Sequence, residues 1–180
     1  MIVSYRGART EDFAAGKRVK AFSGIERPAR LKLDRLEAAV RLKDLAALPG
    51  TRVAARSSLY RSAPVGLLNQ PDFINAVVAV DTDLPPIDLL RQLLAIEARH
   101  GRVRSIPNAP RTLDLDLLLH GDALLQGSEL TLPHPRMHQR AFVLRPLLEI
   151  AADLTLPGLG PARDYLPAVA DQDISLFEPL

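Results

Sequence analysis

Two acidic side chains lie close together in an otherwise apolar stretch of the chain. Asp114 and Asp116 alternate with leucines in the segment 111–119, Arg-Thr-Leu-Asp-Leu-Asp-Leu-Leu-Leu. Because side chains alternate across a strand, both carboxylates would share one face, about 7 Å apart. They would repel each other unless a cation lay between them, and Mg²⁺ suits one or two carboxylates plus substrate phosphates. The Asp-x-Asp pattern alone favours an exposed strand face with solvated carboxylates.

Several arginines near these carboxylates favour a phosphate-binding site. Arg102, Arg104 and Arg111 precede the pair and Arg140 follows it, whereas the sequence has no Gly-x-x-x-x-Gly-Lys-Ser/Thr loop. A nucleotide bound here would therefore be held by guanidinium groups, which match phosphate oxygens and stay charged. Paired carboxylates, a divalent cation and arginines form the charge-neutralising set of phosphoryl transfer. Ordinary surface pairing is the alternative interpretation of the arginines.

Other polar residues near this set have two interpretations each. Glu97 lies on the apolar side of a predicted helix, where a salt bridge to Arg102 or Arg104 and a ligand contact explain it equally well. His134 lies between prolines, which argue against a helix, and is interpreted as a contact to a phosphate or to metal-bound water.

A second candidate cluster offers aromatic faces and an amide. Phe73 and Asn75 are two residues apart on a predicted strand, and Phe142 lies further along the chain. Asparagine can hydrogen-bond to the amide-like edge of a flat heterocycle, and phenylalanine can stack on its face. The alternative interpretation is that both phenylalanines belong to the core.

Composition sets the class of protein in which these residues act. The 180 residues are 47% hydrophobic and 24% charged, which is typical of a globular chain. No apolar run approaches the ~18 residues of a membrane span, and residues 1–18 lack the apolar core of a secretory signal. The absence of cysteine excludes disulfides and thiolate chemistry. We expect a cytoplasmic protein with no membrane partner.

Charge is distributed unevenly along the chain. Residues 1–61 carry 14 basic and 6 acidic side chains, and residues 62–180 carry 9 and 15. A basic arm could bind nucleic acid, but a solvated arm or a basic helix face is at least as good an explanation. The eight aromatic residues include no tryptophan, so base-stacking surfaces would be few.

Periodicity and turn residues predict alternating helices and strands. Helices are predicted over 31–48, from Pro85-Pro86 to about His100, and over 139–151 with an interruption at Pro146. Strands are predicted over 51–62, 72–81 and 111–120, with a turn at Gly121-Asp122 leading into a hairpin partner. Residues 153–180 are predicted to be irregular with one short helix. With neither a repeat nor a linker, we predict a single domain over 1–180, with its core at about 31–165 and an α+β layered fold.

Five blocks of sequence, in order, resemble one known family. They are Ser-Ser-Leu-Tyr-Arg-Ser-Ala-Pro-Val-Gly (57–66), Asn-Gln-Pro-Asp-Phe-Ile-Asn-Ala-Val (69–77), Ile-Glu-x-x-x-Gly-Arg-Val-Arg (96–104), Ala-Pro-Arg-Thr-Leu-Asp-Leu-Asp-Leu-Leu (109–118) and Leu-Pro-His-Pro-Arg-Met-His-Gln-Arg-Ala-Phe-Val-Leu-Arg-Pro-Leu (132–147). Together they resemble the 6-hydroxymethyl-7,8-dihydropterin pyrophosphokinases of folate biosynthesis. Agreement of several independent blocks is more specific than any one motif.

The resemblance implies a fold and an activity. The fold would be an αβα sandwich with a ferredoxin-like core and a mainly antiparallel sheet. The activity would be transfer of pyrophosphate from ATP to the pterin's 6-hydroxymethyl oxygen, with release of AMP. The partners would be these two small molecules, without nucleic acid, and the protein would be a monomer.

The resemblance also implies roles for individual residues. Two Mg²⁺ ions would be held by Asp114 and Asp116. Arg102 and Arg111 would stabilise charge on the transferred group, and ATP would be contacted by Glu97, Arg104, His134 and Arg140. Ser62, Val65 and Asn75 would line the pterin pocket, with Phe73 and Phe142 on either side of the ring.

The N-terminus departs from the family pattern. The family's Gly-Ser-Asn-Leu-Gly-like turn after the first strand is missing here, and residues 7–30 are basic, atypical and predicted to be poorly ordered. A remodelled N-terminus and a local frame error would each produce such a segment. The alternative functions are a ferredoxin-like binding module and an inactive pterin-binding homologue, with the basic arm binding nucleic acid.

Overall fold

A computed structural model describes residues 42–63, 72–100 and 113–178 of the chain. The predicted atypical segment 7–30 and most of the predicted helix 31–48 lie outside these residues. Among the described residues, no helix is long and apolar enough to cross a membrane.

The described residues form three helices and nine short strands, together with 3₁₀ turns. The elements are α1 (42–46), β1 (Thr51–Arg56), β2 (Leu59–Ser62), β3 (Phe73–Asn75), β4 (Val78–Thr82), α2 (Pro86–Arg99), β5 (Leu125–Gln126), β6 (Thr131–Leu132), α3 (Ala141–Ile150), β7 (Thr155–Leu156), β8 (Gly160–Pro161) and β9 (Ile174–Glu178). One 3₁₀ helix spans Met137–Gln139 before α3, and another spans Ala162–Val169 before β9.

Every strand pairing in the described part of the chain is antiparallel. Strand β1 pairs with β4, and β2 lies between β3 and β9. The pairs β5–β6 and β7–β8 are small separate ladders. Helices combined with antiparallel strands confirm the predicted α+β class.

The predicted strands 51–62 and 72–81 each divide into two strands that belong to different sheets. The division falls at Ser57 and Val77, where the Ser57 N–H donates to the Val77 carbonyl and the Val77 N–H donates to Ser57 Oγ, both at 2.9 Å. Ser57 is fully buried. A buried side-chain oxygen thus accepts a hydrogen bond that a ladder carbonyl would otherwise accept, and the chain changes sheets there.

The predicted strand 111–120 is wrong for its described part, 113–120. No strand is present there, because the Leu115 N–H donates to the Glu97 side chain and the Leu118 carbonyl accepts from the His134 N–H. Burial still alternates from Leu113 to Asp116 as predicted. The predicted turn at Gly121 forms, with φ at +52°, but β5 beyond it pairs with β6.

Helix α2 begins and ends where the sequence predicts. Pro85 is its N-cap residue and His100 is its C-cap residue. Asp88 lies in the first turn of the helix and Arg99 in the last. These charges are favourable at the respective ends of the helix dipole. The buried face packs through Leu89 and Leu93 against a core cluster that also contains Leu45, Leu48, Ile96 and Leu113.

Helix α3 packs into the larger core cluster. Its residues Val143, Leu144 and Leu147 are buried with Met137 and Leu156. The predicted interruption at Pro146 is wrong, because Pro146 is buried within a continuous helix. The prediction that residues 153–180 are irregular with one short helix is wrong at Ile174–Glu178, where β9 completes the β3–β2–β9 sheet.

Glu149, near the C-terminal end of α3, joins this helix to β2. Its Oε1 accepts hydrogen bonds from the Ser58 N–H at 3.0 Å and the Ser58 hydroxyl at 2.7 Å, and its Oε2 accepts one from the Tyr60 hydroxyl at 2.9 Å. Loss of hydration at the contact with β2 alone would raise the pKa of the exposed Glu149, but the hydrogen bonds from Ser58 and Tyr60 outweigh it and lower the pKa.

We expect the contribution of Glu149 to stability to depend on pH. A carboxyl group with a lowered pKa in the folded state stabilises the fold above its unfolded pKa of about 4.3, and this stabilisation is lost as pH falls. Glu149→Gln should therefore lower the free energy of unfolding at pH 7 by less than about 1 kcal/mol, because the group is exposed. Urea unfolding at pH 7 and at pH 3.5 measures the difference, which should narrow at the lower pH; a constant difference would contradict the assignment.

Candidate active site

An open groove of about 320 Å³ contains four of the predicted site residues. Glu97, Asp114, Asp116 and His134 line it, as do Leu90 and Leu94 of α2. Residues 127–130, which connect β5 to β6, and Thr131 of β6 also line it. The structure thus brings together residues from α2, from the segment 113–120 and from the loop after β6.

Glu97 organises the backbone between the two aspartates. It is 1% exposed, and its Oε1 accepts the Leu115 N–H at 2.7 Å. Leu115 packs towards the α2 core cluster, whereas Asp114 and Asp116 on either side are exposed. A buried acceptor therefore fixes the residue between two carboxylates that face solvent.

Arg140, at the N-cap position of α3, connects this groove to an aromatic residue. Its guanidinium Nη1 lies 3.5 Å from Asp116 Oδ2, and its Cζ lies 5.4 Å from the centroid of the Phe142 ring. Burial and the charge of Arg136 lower the pKa of Arg140, whereas Asp116 and Asp114 raise it. A guanidinium remains charged at neutral pH, so Arg140 places a positive charge beside the carboxylates.

His134 lies in the same groove as Asp116, near Arg140. The backbone N–H of His134 donates to the Leu118 carbonyl at 2.9 Å, and its ring Nδ1 accepts the backbone N–H of Arg136 at 3.2 Å. Burial is the main reason why the pKa of His134 is lowered; Asp116 raises it, and Arg140 and Arg136 lower it. With Nδ1 as an acceptor, the neutral ring carries its proton on Nε2.

The second predicted cluster is assembled on the ladder between β2 and β3. Ser62 pairs with Phe73 and Tyr60 with Asn75, so these side chains share one face. Asn75 Nδ2 donates to Ser62 Oγ at 3.0 Å, and Phe73 is 42% exposed. Phe142 is half-buried against the larger core cluster. An exposed aromatic face thus lies beside a fixed amide.

Four predicted site residues lie outside the described residues: Val65, Arg102, Arg104 and Arg111. The sequence interpretation missed residues 127–131, which line the groove. Gly127 and Ser128 indicate a turn there, but no residue type in the loop indicates a ligand.

The carboxylates in the groove suit a cation that takes only some of its ligands from the protein and the others from a substrate and from water. No group of three or more His, Cys, Asp or Glu residues that could hold a metal ion occurs in 42–63, 72–100 or 113–178. Mg²⁺ retains several waters and is typically bound by one or two carboxylates plus phosphates. The exposed pair Asp114 and Asp116 meets that requirement.

Comparison with known proteins gives the class to which this site belongs. The family model described as 7,8-dihydro-6-hydroxymethylpterin-pyrophosphokinase (HPPK) matches residues 30–152, more than half of the chain. The chain therefore belongs to the HPPK family, as the sequence blocks indicated.

Individual relatives agree with this assignment. The chain is 39% identical over 161 residues to the 2-amino-4-hydroxy-6-hydroxymethyldihydropteridine pyrophosphokinase of Haemophilus influenzae, covering 89% of this chain and 99% of the relative. It is 54% identical over 110 residues to the protein of the same name from Pseudomonas aeruginosa, covering 61% and 68%. It also matches 17% of the folic acid synthesis protein fol1 of Pneumocystis carinii, at 41% identity over 128 residues.

We expect Glu97 to be needed for stability as an acceptor of the Leu115 N–H. Glu97→Ala leaves that N–H without its partner and should lower the free energy of unfolding by about 1–3 kcal/mol. Glu97→Gln retains an acceptor oxygen and should cost less. Urea unfolding of both variants checks the order; equal stability of the alanine variant and the wild type would contradict the role.

We expect the imidazole of His134 to titrate below its ordinary pKa of about 6.5. Asp116→Asn should lower the pKa further, because it removes the negative charge that favours the imidazolium. Proton NMR titration of the metal-free protein measures both values, and His134→Gln assigns the signal among the four histidines. A His134 pKa that Asp116→Asn leaves unchanged would contradict the predicted proximity of the two charges.

Proposed function

We propose that this protein transfers pyrophosphate from ATP to the 6-hydroxymethyl oxygen of 6-hydroxymethyl-7,8-dihydropterin, giving AMP and the pterin diphosphate for folate synthesis. Membership of the HPPK family and the names of the relatives support this. The observation that carries the proposal is that Asp114 and Asp116 are both exposed and line one groove, with Arg140 Nη1 3.5 Å from Asp116 Oδ2.

The reaction requires the pterin oxygen to attack the β-phosphorus of ATP, because AMP is the leaving group. The new bond joins that oxygen to the β-phosphorus, the bond from the β-phosphorus to the oxygen of the α-phosphate breaks, and the hydroxyl proton is released to water. Asp114 and Asp116 would hold Mg²⁺, with two ions expected. When bound, Mg²⁺ neutralises phosphate oxygens and orients the triphosphate for in-line displacement.

The residues of the groove then have distinct tasks. Arg140 contacts a phosphate oxygen of ATP with its permanently charged guanidinium. His134, neutral and protonated on Nε2, donates a hydrogen bond to another. Glu97 contributes to the nucleotide site by fixing Leu115 between the aspartates. Arg104 is proposed as a further ATP contact, and Arg102 and Arg111 as stabilisers of the transferred group.

The pterin binds at the β2–β3 ladder in this proposal. Asn75 uses its Nδ2 to bond Ser62, so its Oδ1 is directed to the pterin as an acceptor for ring N–H groups. Phe73 and Phe142 stack on the heterocycle, and Val65 completes the pocket. Arg140 links this pocket to the groove, since it contacts both Asp116 and Phe142.

We also propose an overall fold, an oligomeric state and a cellular location for this protein. The described helices and antiparallel strands belong to an αβα sandwich with a ferredoxin-like core, formed by a single domain. The protein acts as a cytoplasmic monomer on small-molecule substrates, without a nucleic-acid partner.

An AMP-release assay tests the proposed activity. The full chain is incubated with ATP, Mg²⁺ and 6-hydroxymethyl-7,8-dihydropterin, and AMP and pterin diphosphate are quantified by chromatography. Equimolar formation of both products that stops when Mg²⁺ is chelated is the expected result. Pterin binding without AMP release from a folded sample would refute the proposal.

We expect Asp116→Ala to lower kcat by about 10²–10³-fold or more. The metal would lose a ligand, and the negative charges of the triphosphate would no longer be neutralised as well. Circular dichroism should show an unchanged fold, since Asp116 is exposed. Asp122→Ala is the matched control: Asp122 is an exposed aspartate in the turn at Gly121, and its loss should leave kcat unaltered. Near-normal turnover by Asp116→Ala would contradict the metal-binding role.

A further inference from the structure

Gln172 makes a pair of hydrogen bonds at the start of α3. Its Oε1 accepts the Ala141 N–H at 2.8 Å, and its Nε2 donates to the Gln139 carbonyl at 2.8 Å. The carboxamide therefore bonds to the backbone on both sides of Arg140. Gln172 lies about thirty residues further along the chain than the residues that it binds.

The position of Gln172 is itself fixed. Its N–H donates to the Val169 carbonyl at 3.2 Å, which closes a turn after the 3₁₀ helix Ala162–Val169. Val169 and Ile174 on either side are buried in the larger core cluster, and Ile174 begins β9. The side chain is consequently presented from a short segment that is anchored at both ends.

The backbone of Arg140 is extended and lies just before the start of α3, so it is not held by the hydrogen bonds within a helix on both sides. Arg140 is the N-cap residue of α3, with φ −127° and ψ 113°, and its own side chain makes no capping hydrogen bond. The Arg140 carbonyl accepts from Val143 and Leu144 at 3.1 and 3.0 Å, but the Ala141 N–H is an unsatisfied helix-end donor without Gln172. Gln172 thus supplies the missing cap from another part of the chain.

We propose that Gln172 is a positioning residue for nucleotide binding, acting through Arg140. By fixing the peptide groups before and after Arg140, it directs the guanidinium to the carboxylate of Asp116 and to the Phe142 ring. Arg140 then loses its conformational freedom during folding, so this entropy cost does not weaken ATP binding. This proposal rests on the proposed function, because Arg140 has its role only if a triphosphate occupies the groove.

The first test compares three chains. The dissociation constant of a non-hydrolysable ATP analogue in the presence of Mg²⁺ is measured by titration calorimetry for the wild type, Gln172→Ala and Gln172→Glu. Gln172→Ala should weaken binding by about five- to tenfold, because both bonds to the backbone are lost. Gln172→Glu keeps the acceptor for Ala141 and should lie between the two.

Ser58→Ala provides a control for general loss of stability. Ser58 bonds to Glu149 near the opposite end of α3, away from Arg140. The melting temperature of Ser58→Ala should fall about as much as that of Gln172→Ala. Its dissociation constant for the analogue, however, should stay within about twofold of the wild-type value. All measurements are made at a temperature at which every variant is fully folded.

A double-mutant cycle separates positioning from an independent contribution. In an Arg140→Ala background, Gln172→Ala should alter the dissociation constant by less than about twofold, since the residue through which Gln172 acts is gone. Wild-type affinity in Gln172→Ala, or equal losses in both backgrounds, would overturn the proposal. A wild-type chain that neither binds the analogue nor releases AMP would refute the proposed function itself, and the positioning role with it.

Discussion

The candidate active site depends on a hydrogen bond between a buried carboxylate and a backbone amide. Glu97, on the inner face of α2, accepts the N–H of Leu115 and thereby sets the course of the segment that carries Asp114 and Asp116. Leaving a buried donor or acceptor without its hydrogen-bond partner is costly. The helix thus determines where the two carboxylates emerge, although neither of them belongs to it.

Arg140 gives the site its second connection. It lies at a helix end, contacts Asp116 on one side and the Phe142 ring on the other, and is bordered by peptide groups that Gln172 binds. In the proposed function, the nucleotide site in the groove and the pterin site that includes Phe142 would therefore be linked through one side chain whose backbone is fixed. Such an arrangement suits a reaction in which two substrates must meet in one orientation.

The sequence predicts those features that local residues determine. Pro85 and Pro86 mark the start of α2 because proline is favoured at the first helical positions, and alternation between leucine and aspartate gives the exposure of Asp114 and Asp116. The division of strands at Ser57 is not predictable in this way, because its partner Val77 is twenty residues distant. Strand β9 escapes detection for a related reason: Leu176 is exposed and only pairing with β2 defines the element.

The pairing of β9 with β2 also bears on how the molecule is made. Ile174–Glu178 lies opposite Leu59–Ser62, so this ladder joins segments that leave the ribosome far apart in time. Until the later segment has been synthesised, β2 has an open edge, and the strand that bears Ser62 lacks one of its two neighbours. Long-range pairing of this kind slows folding, because loop closure precedes any gain from contacts. The sheet that presents Phe73 and Asn75 is thus completed only after the segments that form α2 and α3 have been synthesised.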